Sequence, residues 1–408
     1  MPEFSQRARS LPASPIRKLV PFADAAKQRG VRVFHLNIGQ PDIATPPEFW
    51  AAIRNAELEV LAYSPSAGID SLREEIQSYY ARLGHDLQEQ QVLVTTGASE
   101  ALSFVFTALM NPGDEVIVPE PFYANYMSFT LGKDAKVVPV TSSLENNFGL
   151  PHVEDFEKKI TPHTKAILIC NPGNPTGVLY PREALLRLQE IAQKHDLFII
   201  ADEVYREFAY DGNQHTSCLS LQGCEQNVIV VDSISKRFSA CGARIGCVIS
   251  RNDELMSLVL KQAQARLSPP TLGQIGAAEV YKLPSSYYAE VATEYASRRD
   301  LLKAALDRME GVVCPEINGA FYAMVHLPVD DAEKFCQWIL EDFDHQGSTV
   351  MMAPGGGFYA TPGLGQHEVR IAYVLNREDL SAAMDCLAMA LQVYPGRIAN
   401  PLAESQGV

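Results

Sequence analysis

The regular alternation of short apolar segments with amphipathic helical segments constrains the fold of this chain more than any other feature. Seven apolar segments of strand length lie at residues 92–95, 115–118, 136–140, 166–170, 198–201, 228–232 and 247–250. The stretches between them have helical periodicity, as in residues 183–195, where Leu185, Leu188 and Ile191 fall on one face. Alternation of this kind predicts an α/β fold with a mostly parallel seven-stranded sheet sandwiched by helices.

The pattern changes after residue 253, where long helical runs dominate. Four such runs, at 253–267, 286–309, 331–343 and 379–393, alternate with short strand-like segments at 321–325, 349–353 and 369–373. A chain of 408 residues is too long for one ordinary core. We therefore expect three parts: an N-terminal segment (1–48) that packs with the small domain and the active site, a large domain (49–295) and a smaller α+β C-terminal domain (296–408).

The composition argues against several classes of function. The formal net charge of −15 disfavours nucleic-acid binding, because that function needs a basic face. The apolar runs are too short to span a membrane, and no apolar signal segment follows the first basic residues. The eight cysteines are scattered without C-x-x-C spacing, so we expect reduced thiols, a cytoplasmic protein and no metal site.

A lysine follows the sixth apolar segment, in the sequence Ser233-Ile-Ser-Lys236. Hydroxyl groups precede it at Ser233 and Ser235, and Arg244 follows further along the chain. A lysine at the carboxyl end of a strand, flanked by groups that can hold a phosphate, suits imine formation with an aldehyde cofactor that carries a phosphate. A lone lysine in a serine-rich turn is more often a surface residue, so this segment alone leaves both interpretations open.

Three further polar motifs follow strands of the same predicted sheet. They are Asp202 with Tyr205 behind 198–201, Asn174 in the turn Asn-Pro-Gly-Asn-Pro-Thr-Gly behind 166–170, and Gly97-Ala98-Ser99 behind 92–95. Open α/β sheets place their ligands at this edge, where an aspartate can keep a pyridine nitrogen protonated and a helix N-terminus can bind phosphate. Helix capping or turn chemistry also explains each motif taken alone. Together they converge on one ligand with a phosphate, an aldehyde and a pyridine ring.

With these motifs in the same order and at similar spacing, the chain resembles the class I/II aminotransferases, fold-type I pyridoxal-5′-phosphate (PLP) enzymes of the aspartate aminotransferase superfamily. The resemblance runs from about Gly39 to Arg370, and its most specific parts are the S-x-S-K, N-P-x-N-P-T-G and A-D-E-V-Y segments. It implies a PLP-dependent aminotransferase that moves an amino group from an L-amino acid to a 2-oxo acid, with 2-oxoglutarate as the expected acceptor. The large domain would bind the PLP.

The resemblance also implies a role for each site residue. Lys236 would hold PLP as a Schiff base and move the substrate proton, Asp202 would pair with the pyridine nitrogen, and Tyr205 would bond the ring oxygen. The other implied cofactor contacts are Gly97, Ala98, Ser99, Tyr123, Asn174, Ser233, Ser235 and Arg244. The implied substrate contacts are Gly39, Asn174 and Arg370, with Arg370 clamping the α-carboxylate. Tyr63 would reach the phosphate of a neighbouring subunit, which implies a homodimer with shared active sites.

The sequence leaves side-chain specificity open. Tyr123 stands where aspartate-specific members of the family usually have tryptophan, which weakens an assignment to aspartate. Arg17, in the N-terminal segment, is a candidate to bind a distal carboxylate, although a solvated charge before a helix is the simpler interpretation. Phe321 and Tyr322 are equally good candidates to line a pocket for apolar substrates.

Other functions use related residues. PLP-dependent C–S β-lyases and other PLP lyases share the cofactor motifs, so these motifs do not separate lyases from aminotransferases. A non-enzymatic PLP or amino-acid sensor would carry a DNA-binding module, for which we expect the 36 residues before Asn37 to be too few. A nicotinamide-dependent enzyme would need a G-x-G-x-x-G turn between a strand and a helix, and Gly355-Gly-Gly357 lacks that context.

Overall fold

The computed structural model describes residues 2–398, so residue 1 and residues 399–408 of the predicted terminal parts lie outside the described residues. The strands are β1 Arg32–His35, β2 Val92–Thr95, β3 Glu115–Glu120, β4 Lys136–Thr141, β5 Thr164–Cys170, β6 Phe198–Asp202, β7 Val228–Ser233, β8 Gly246–Ser250, β9 Tyr322–His326, β10 Ser348–Met351, β11 Ala353–Pro354 and β12 Glu368–Ala372. The helices are α1 Gln6–Ser10, α2 Val20–Gln28, α3 Pro47–Arg54, α4 Asp70–Arg82, α5 Gly97–Leu109, α6 Asn125–Leu131, α7 Val153–Glu157, α8 Arg182–His195, α9 Ile234–Arg237, α10 Asp253–Arg266, α11 Thr271–Val280, α12 Ser285–Leu306, α13 Ala332–Glu341 and α14 Arg377–Val393. None of these helices is both long and apolar enough to cross a membrane.

The central sheet contains seven strands in the order β2-β8-β7-β6-β5-β3-β4. β8 runs antiparallel to both of its neighbours, and the other pairs are parallel. Because β2 and β7 both oppose β8, the carboxyl ends of β2, β5, β6 and β7 lie along the same edge of the sheet. All seven predicted segments form strands here, which confirms the predicted α/β fold.

Helices cover both faces of this sheet, as its continuous apolar strands require. Successive side chains of a strand point to opposite faces. On one face Ala201 and Val230 pack with Leu188 of α8. On the other face Ile200 and Val231 pack in the cluster that contains the buried residues of α5 and α10. The sheet is therefore a rigid platform from which strand-end side chains project.

Two smaller sheets lie in the C-terminal part of the chain. One is antiparallel with the order β11-β12-β9, and the other pairs β1 of the N-terminal segment with β10 in parallel. The prediction of a single strand at 349–353 is wrong. The chain changes partner at Met352, where β10, bonded to β1, ends and β11, bonded to β12, follows.

Helix α12 connects the central sheet to the smaller sheets. Tyr287, near its start, packs against the hydrophobic clusters of both regions. Further along the helix, Tyr295 and Leu302 are buried in the cluster around β9 and β12. The predicted domain boundary at residue 295 falls inside this helix, and the three-part division of the chain stays a prediction.

Candidate active site

A cavity of about 600 Å3 opens at the carboxyl edge of the central sheet, beside the small antiparallel sheet. Its wall brings together residues that are far apart in the sequence. Those among the predicted site residues are Arg17, Gly39, Ala98, Ser99, Tyr123, Asn174, Asp202, Tyr205, Ser233, Ser235, Lys236, Arg244 and Arg370. Parallel strands that end at one edge explain the convergence of the motifs behind β2, β5, β6 and β7.

Asp202, the last residue of β6, is a buried carboxylate in this wall and is only 5% exposed. Its Oδ2 accepts a hydrogen bond of 2.7 Å from the hydroxyl of Tyr126, and the Val204 N–H lies 3.4 Å from Oδ1. No Lys, Arg or His among residues 2–398 forms an ion pair with it. Burial raises the pKa of Asp202 to about 6, against the opposing effect of the Tyr126 hydrogen bond. The site therefore holds a desolvated acid that favours a cationic partner.

Lys236 projects into the same cavity from the short helix α9. Ser233 caps this helix: its Oγ accepts from the Ser235 N–H at 3.1 Å and lies 2.8 Å from the Ser235 hydroxyl. The Lys236 ammonium donates a hydrogen bond of 2.7 Å to the Gly39 carbonyl, and Nζ lies 6.0 Å from the Tyr205 ring centroid. The amine thus faces the cavity between the N-terminal segment and β6.

An anion-binding corner lies where α5 begins. Helix α5 has thirteen residues and no side-chain cap, so the first backbone N–H groups have no partner from the Thr96 side chain. Gly97 has a φ of +75°, and a Cβ there would lie 2.5 Å from a guanidinium nitrogen of Arg244. The left-handed backbone therefore favours glycine, and the missing side chain leaves room for Arg244 beside the helix terminus. The uncapped N–H groups and this cation form a suitable phosphate site.

Arg370, in the middle of β12, lies on the opposite wall and is 1% exposed. It donates to Asn174 Oδ1 at 3.0 Å and to the Asn37 carbonyl at 2.5 Å. The guanidinium packs between the rings of Tyr322 and Phe358, at 4.6 and 4.9 Å. Each terminal nitrogen carries two N–H groups and uses only one of them in its hydrogen bonds to described residues, so this buried cation retains donors for a carboxylate ligand.

Comparison with known proteins identifies the family. A family model described as "Aminotransferase class I and II" matches residues 31–387. The chain is a class I/II aminotransferase. It is 32% identical to an aspartate aminotransferase of Pyrococcus horikoshii over 95% of this chain and 97% of that one, and 30% identical to aromatic-amino-acid aminotransferase 2 of Thermococcus litoralis over 95% and 98%. A Thermus thermophilus aspartate aminotransferase variant has a TM-score of 0.88 at 29% identity, covering 96% of this chain and all of that chain.

These findings confirm the predicted family, the transaminase activity and the dependence on PLP that is typical of this class. The residues present also suit PLP. The uncapped start of α5 with Arg244 suits the phosphate, the unpaired carboxylate of Asp202 suits a protonated pyridine nitrogen, and Lys236 suits an aldehyde. No cluster of three or more His, Cys, Asp or Glu residues that could hold a metal occurs within 2–398.

Two groups of this aminotransferase were not predicted as site residues although they line the cavity. Tyr126 bonds Asp202, and Tyr322 places its hydroxyl 2.9 Å from that of Tyr205 and its ring against Arg370. Tyr322 was expected only as a lining residue beside Phe321. Phe321 is fully buried against the Tyr205 ring, next to the cavity but not in its wall. Tyr126 had a sequence signal in its closeness to Tyr123, but nothing local shows that it faces Asp202.

Tyr63 and Arg17 differ from the residues above. Tyr63 is 80% exposed and absent from the cavity wall, so its own chain does not bring it to the site. Arg17 lies in the cavity wall and is exposed, and it forms no side-chain hydrogen bond or ion pair within the described residues. The N-terminal segment that contains Arg17 is held beside the site by a 2.9 Å hydrogen bond, which the Asn37 amide donates to the Ile16 carbonyl.

Proposed function

We propose that this aminotransferase uses Lys236 as its cofactor anchor and proton carrier, Asp202 as the partner of the cofactor ring, and Arg370 as the clamp on the substrate α-carboxylate. One observation carries the proposal. A lysine amine, an unpaired buried carboxylate and a buried guanidinium with free donors face one cavity of about 600 Å3. These are the three charged groups that amino transfer between an amino acid and a 2-oxo acid requires.

The chemistry that bound PLP supplies is an aldehyde carbon, which condenses with amines, and a pyridine ring, which withdraws electrons from the substrate. Asp202 keeps the pyridine nitrogen protonated, since a desolvated carboxylate is stabilised by a cation beside it. Tyr205 and Asn174 are placed to orient the ring oxygen, and their side chains lie 3.4 Å apart. The groups that would hold the phosphate are those of Gly97, Ala98, Ser99, Ser233, Ser235 and Arg244, and Tyr123 would pack against the ring.

Arg370 and the backbone of Gly39 orient the substrate. A guanidinium binds a carboxylate in a bidentate and planar manner, which fixes the rotation of the substrate about its Cα. Lys236 then removes the proton from Cα and returns it at the carbon that receives it, acting as base and acid in turn. The surrounding tyrosines and Phe358 exclude water from the carboxylate side of the cavity.

We propose amino donors with an acidic side chain, whose distal end would lie toward Arg17, with 2-oxoglutarate as acceptor. The cavity then has one cation for each carboxylate, Arg370 for the first and Arg17 for the second. Tyr123 adds a hydroxyl group to the same side of the cavity as Arg17. This hydroxyl accepts a 2.8 Å hydrogen bond from the Asn125 amide. Names of relatives such as aspartate aminotransferase support this choice.

A homodimer with shared sites is also proposed. Val60, Leu61 and Tyr63 are 75%, 62% and 80% exposed, and they form an apolar segment too prominent for a solvent-facing loop. Leu267 and Leu272, at the facing ends of α10 and α11, extend this apolar surface, and the Thr271 hydroxyl lies 3.4 Å from the Ala62 carbonyl. Association with a second copy would bury the surface and carry Tyr63 to the partner's phosphate site.

The eight cysteines are all free, and most are buried. Free thiols persist in reducing compartments. We therefore keep a cytoplasmic location as part of the proposal.

The test of the central proposal is reduction of the purified yellow protein with borohydride. In the wild type the colour is lost and the cofactor becomes fixed to the peptide that contains Lys236, as mass spectrometry of a digest would establish. Lys236→Ala should lack the fixed cofactor and turn over aspartate with 2-oxoglutarate more slowly by about 10²–10⁴-fold, the range for a lost acid–base group. Fixation at another lysine would reject the assignment.

A further inference from the structure

The segment that carries Lys236 is divided between two sides of the central sheet. Ser233, Ser235 and Lys236 line the cavity. The side chains of Asp232 and Arg237, which flank these residues, turn away from the cavity and are 0% and 1% exposed. The same short stretch of chain therefore has a ligand side and a buried rear side.

On the rear side, Asp232 and Arg237 form an ion pair that bridges the whole segment. The Asp232 carboxylate also accepts hydrogen bonds from the Tyr80 hydroxyl at 2.9 Å and from the Ser233 N–H at 2.7 Å. The Arg237 guanidinium stacks on the Tyr79 ring at 4.8 Å. Helix α4, which supplies both tyrosines, thereby holds the pair in place.

The backbone of Arg237 is fixed as well, because its carbonyl lies 3.2 Å from the hydroxyl of Tyr287 in α12. This anchoring matters because α9 has only four residues. A helix of this length is unstable without tertiary contacts, since isolated helices shorter than about 12 residues are marginal in water. The direction in which Lys236 points thus depends on what holds the two ends of α9.

We propose that the Asp232–Arg237 ion pair is a positioning device for Lys236. The pair joins the two ends of the segment on the side away from the cavity, and it thereby fixes the approach of the lysine amine to the bound cofactor. Neither residue touches the cavity, so both act only through the backbone of the segment between them. A buried ion pair adds little net stability compared with apolar residues of similar size, but it specifies one geometry. The proposal rests on Lys236 being the anchor lysine.

The decisive variant is the double substitution Asp232→Asn with Arg237→Met. Replacing one partner alone leaves an uncompensated buried charge and endangers folding, whereas replacing both removes the charges together. The Asn oxygen still accepts from the Ser233 N–H, and the methionine retains much of the apolar stem of arginine. Arg299→Met is the control, because Arg299 is a buried arginine whose ion pair, with the exposed Asp211, lies in a different part of the chain.

The holoenzyme variants are compared by the kcat and KM for an amino donor and by the fraction of subunits in which borohydride fixes the cofactor. In the double variant we expect kcat to fall by about tenfold to a hundredfold, the cost of a misplacement near 1 Å. KM should stay within about twofold, because Arg370 is untouched, and the fixed fraction should fall. Arg299→Met should keep the wild-type kcat and fixed fraction whatever its melting temperature.

A double variant with wild-type kcat and complete fixation would overturn the proposal and leave the pair a role in stability alone. A loss of kcat that Arg299→Met shares would do the same. Lys236→Ala separates this outcome from failure of the functional assignment. If the cofactor is still fixed in Lys236→Ala, the anchor is wrong; if it is lost there but complete in the double variant, only the positioning role is wrong.

Discussion

The floor and the mouth of the cavity differ in how deeply their residues are buried. The floor consists of Asp202, Tyr126 and Tyr205, which are almost completely buried at or beyond the ends of sheet strands. The mouth consists of Ile16, Arg17 and Ile38 from the N-terminal segment, where Arg17 and Ile38 are exposed. Electrostatic interactions are strong in a desolvated place and weak in water. We therefore expect the floor to control the chemistry and the mouth to adjust only the choice of substrate.

The largest expected effect is on the floor. Asp202→Asn keeps the size of the side chain and an acceptor for the Tyr126 hydroxyl, but it removes the charge that, in our proposal, keeps the ring nitrogen protonated. We expect kcat to fall by about 10²–10³-fold, the range for loss of one preorganised electrostatic contact. The KM for the amino donor should change little. Asp202→Glu, which retains the charge, should recover part of kcat, and a fall smaller than threefold in the Asn variant would contradict the assignment.

The same substitution should stabilise the protein after removal of the cofactor. The pKa of Asp202 rises from 3.8 to about 6 on burial, which corresponds to about 3 kcal/mol of folding free energy at about 1.36 kcal/mol per unit. Above pH 6 the folded wild type bears this cost. As the pH falls from about 6 to 4, the folded wild type takes up a proton that the unfolded chain does not, and its stability rises.

Urea unfolding of the cofactor-free proteins measures this effect. Asp202→Asn should be more stable than wild type at pH 8 by about 3 kcal/mol, and the difference should disappear near pH 4. Arg17→Met, at the mouth, should show no such dependence. Equal stability of Asp202→Asn and wild type at pH 8 would mean that the floor is not desolvated in solution.

Arg370, between floor and mouth, should have an intermediate effect. Arg370→Lys keeps the charge but loses the bidentate geometry. A hydrogen bond to a charged group contributes about 1.5–3 kcal/mol, so the KM for amino donors should rise between about tenfold and a hundredfold. Steady-state kinetics with two donors of different side chain would test this, because both should lose affinity equally. A loss of affinity for only one of the two donors would contradict the assignment of Arg370 to the α-carboxylate.

The smallest expected effect belongs to the mouth. An exposed ion pair contributes about 0.2–1 kcal/mol, so Arg17→Met should raise the KM for aspartate by no more than about fivefold and leave the KM for alanine unchanged. Lys18→Met is the matched control, because the neighbouring Lys18 pairs with Glu333 instead of facing the cavity. If Arg17→Met leaves the KM for aspartate and glutamate unchanged, the proposal of acidic donors is contradicted.

Residues that follow strands of the central sheet were far easier to predict from the sequence than residues of the small sheets and the N-terminal segment. Asp202, Asn174 and Ser233 each follow an apolar strand directly, and parallel strands bring their carboxyl ends together, so local patterns were sufficient. Arg370 and Gly39 were assigned only through the resemblance, since neither stands in a motif that shows its partner. Their positions depend on the pairing of β1 with β10 and β11 with β12, over long separations in the sequence.

Other features had no local signal that shows their partners. Tyr126 becomes a site residue only because its hydroxyl reaches Asp202 at the end of β6. Helices α3, α4 and α11 were not among the predicted ones. The buried pair of Asp232 and Arg237 was also invisible in sequence, because nothing in one chain shows which charged residues of a polar segment turn inward. Tyr63 is a still stronger case, since its proposed contact lies in another subunit.

Helix α12 has a consequence for the way the molecule melts. Through Tyr287, its first turn packs with one hydrophobic cluster of the central sheet and with the cluster around the small sheets. Its later turns are buried in the cluster around the small sheets. Neither the central sheet nor the small sheets can unfold without exposing apolar surface of this shared helix. A calorimeter should therefore record a single heat-absorption peak with nearly equal calorimetric and van't Hoff enthalpies, which is expected of one cooperative unit even though the chain has several hydrophobic clusters.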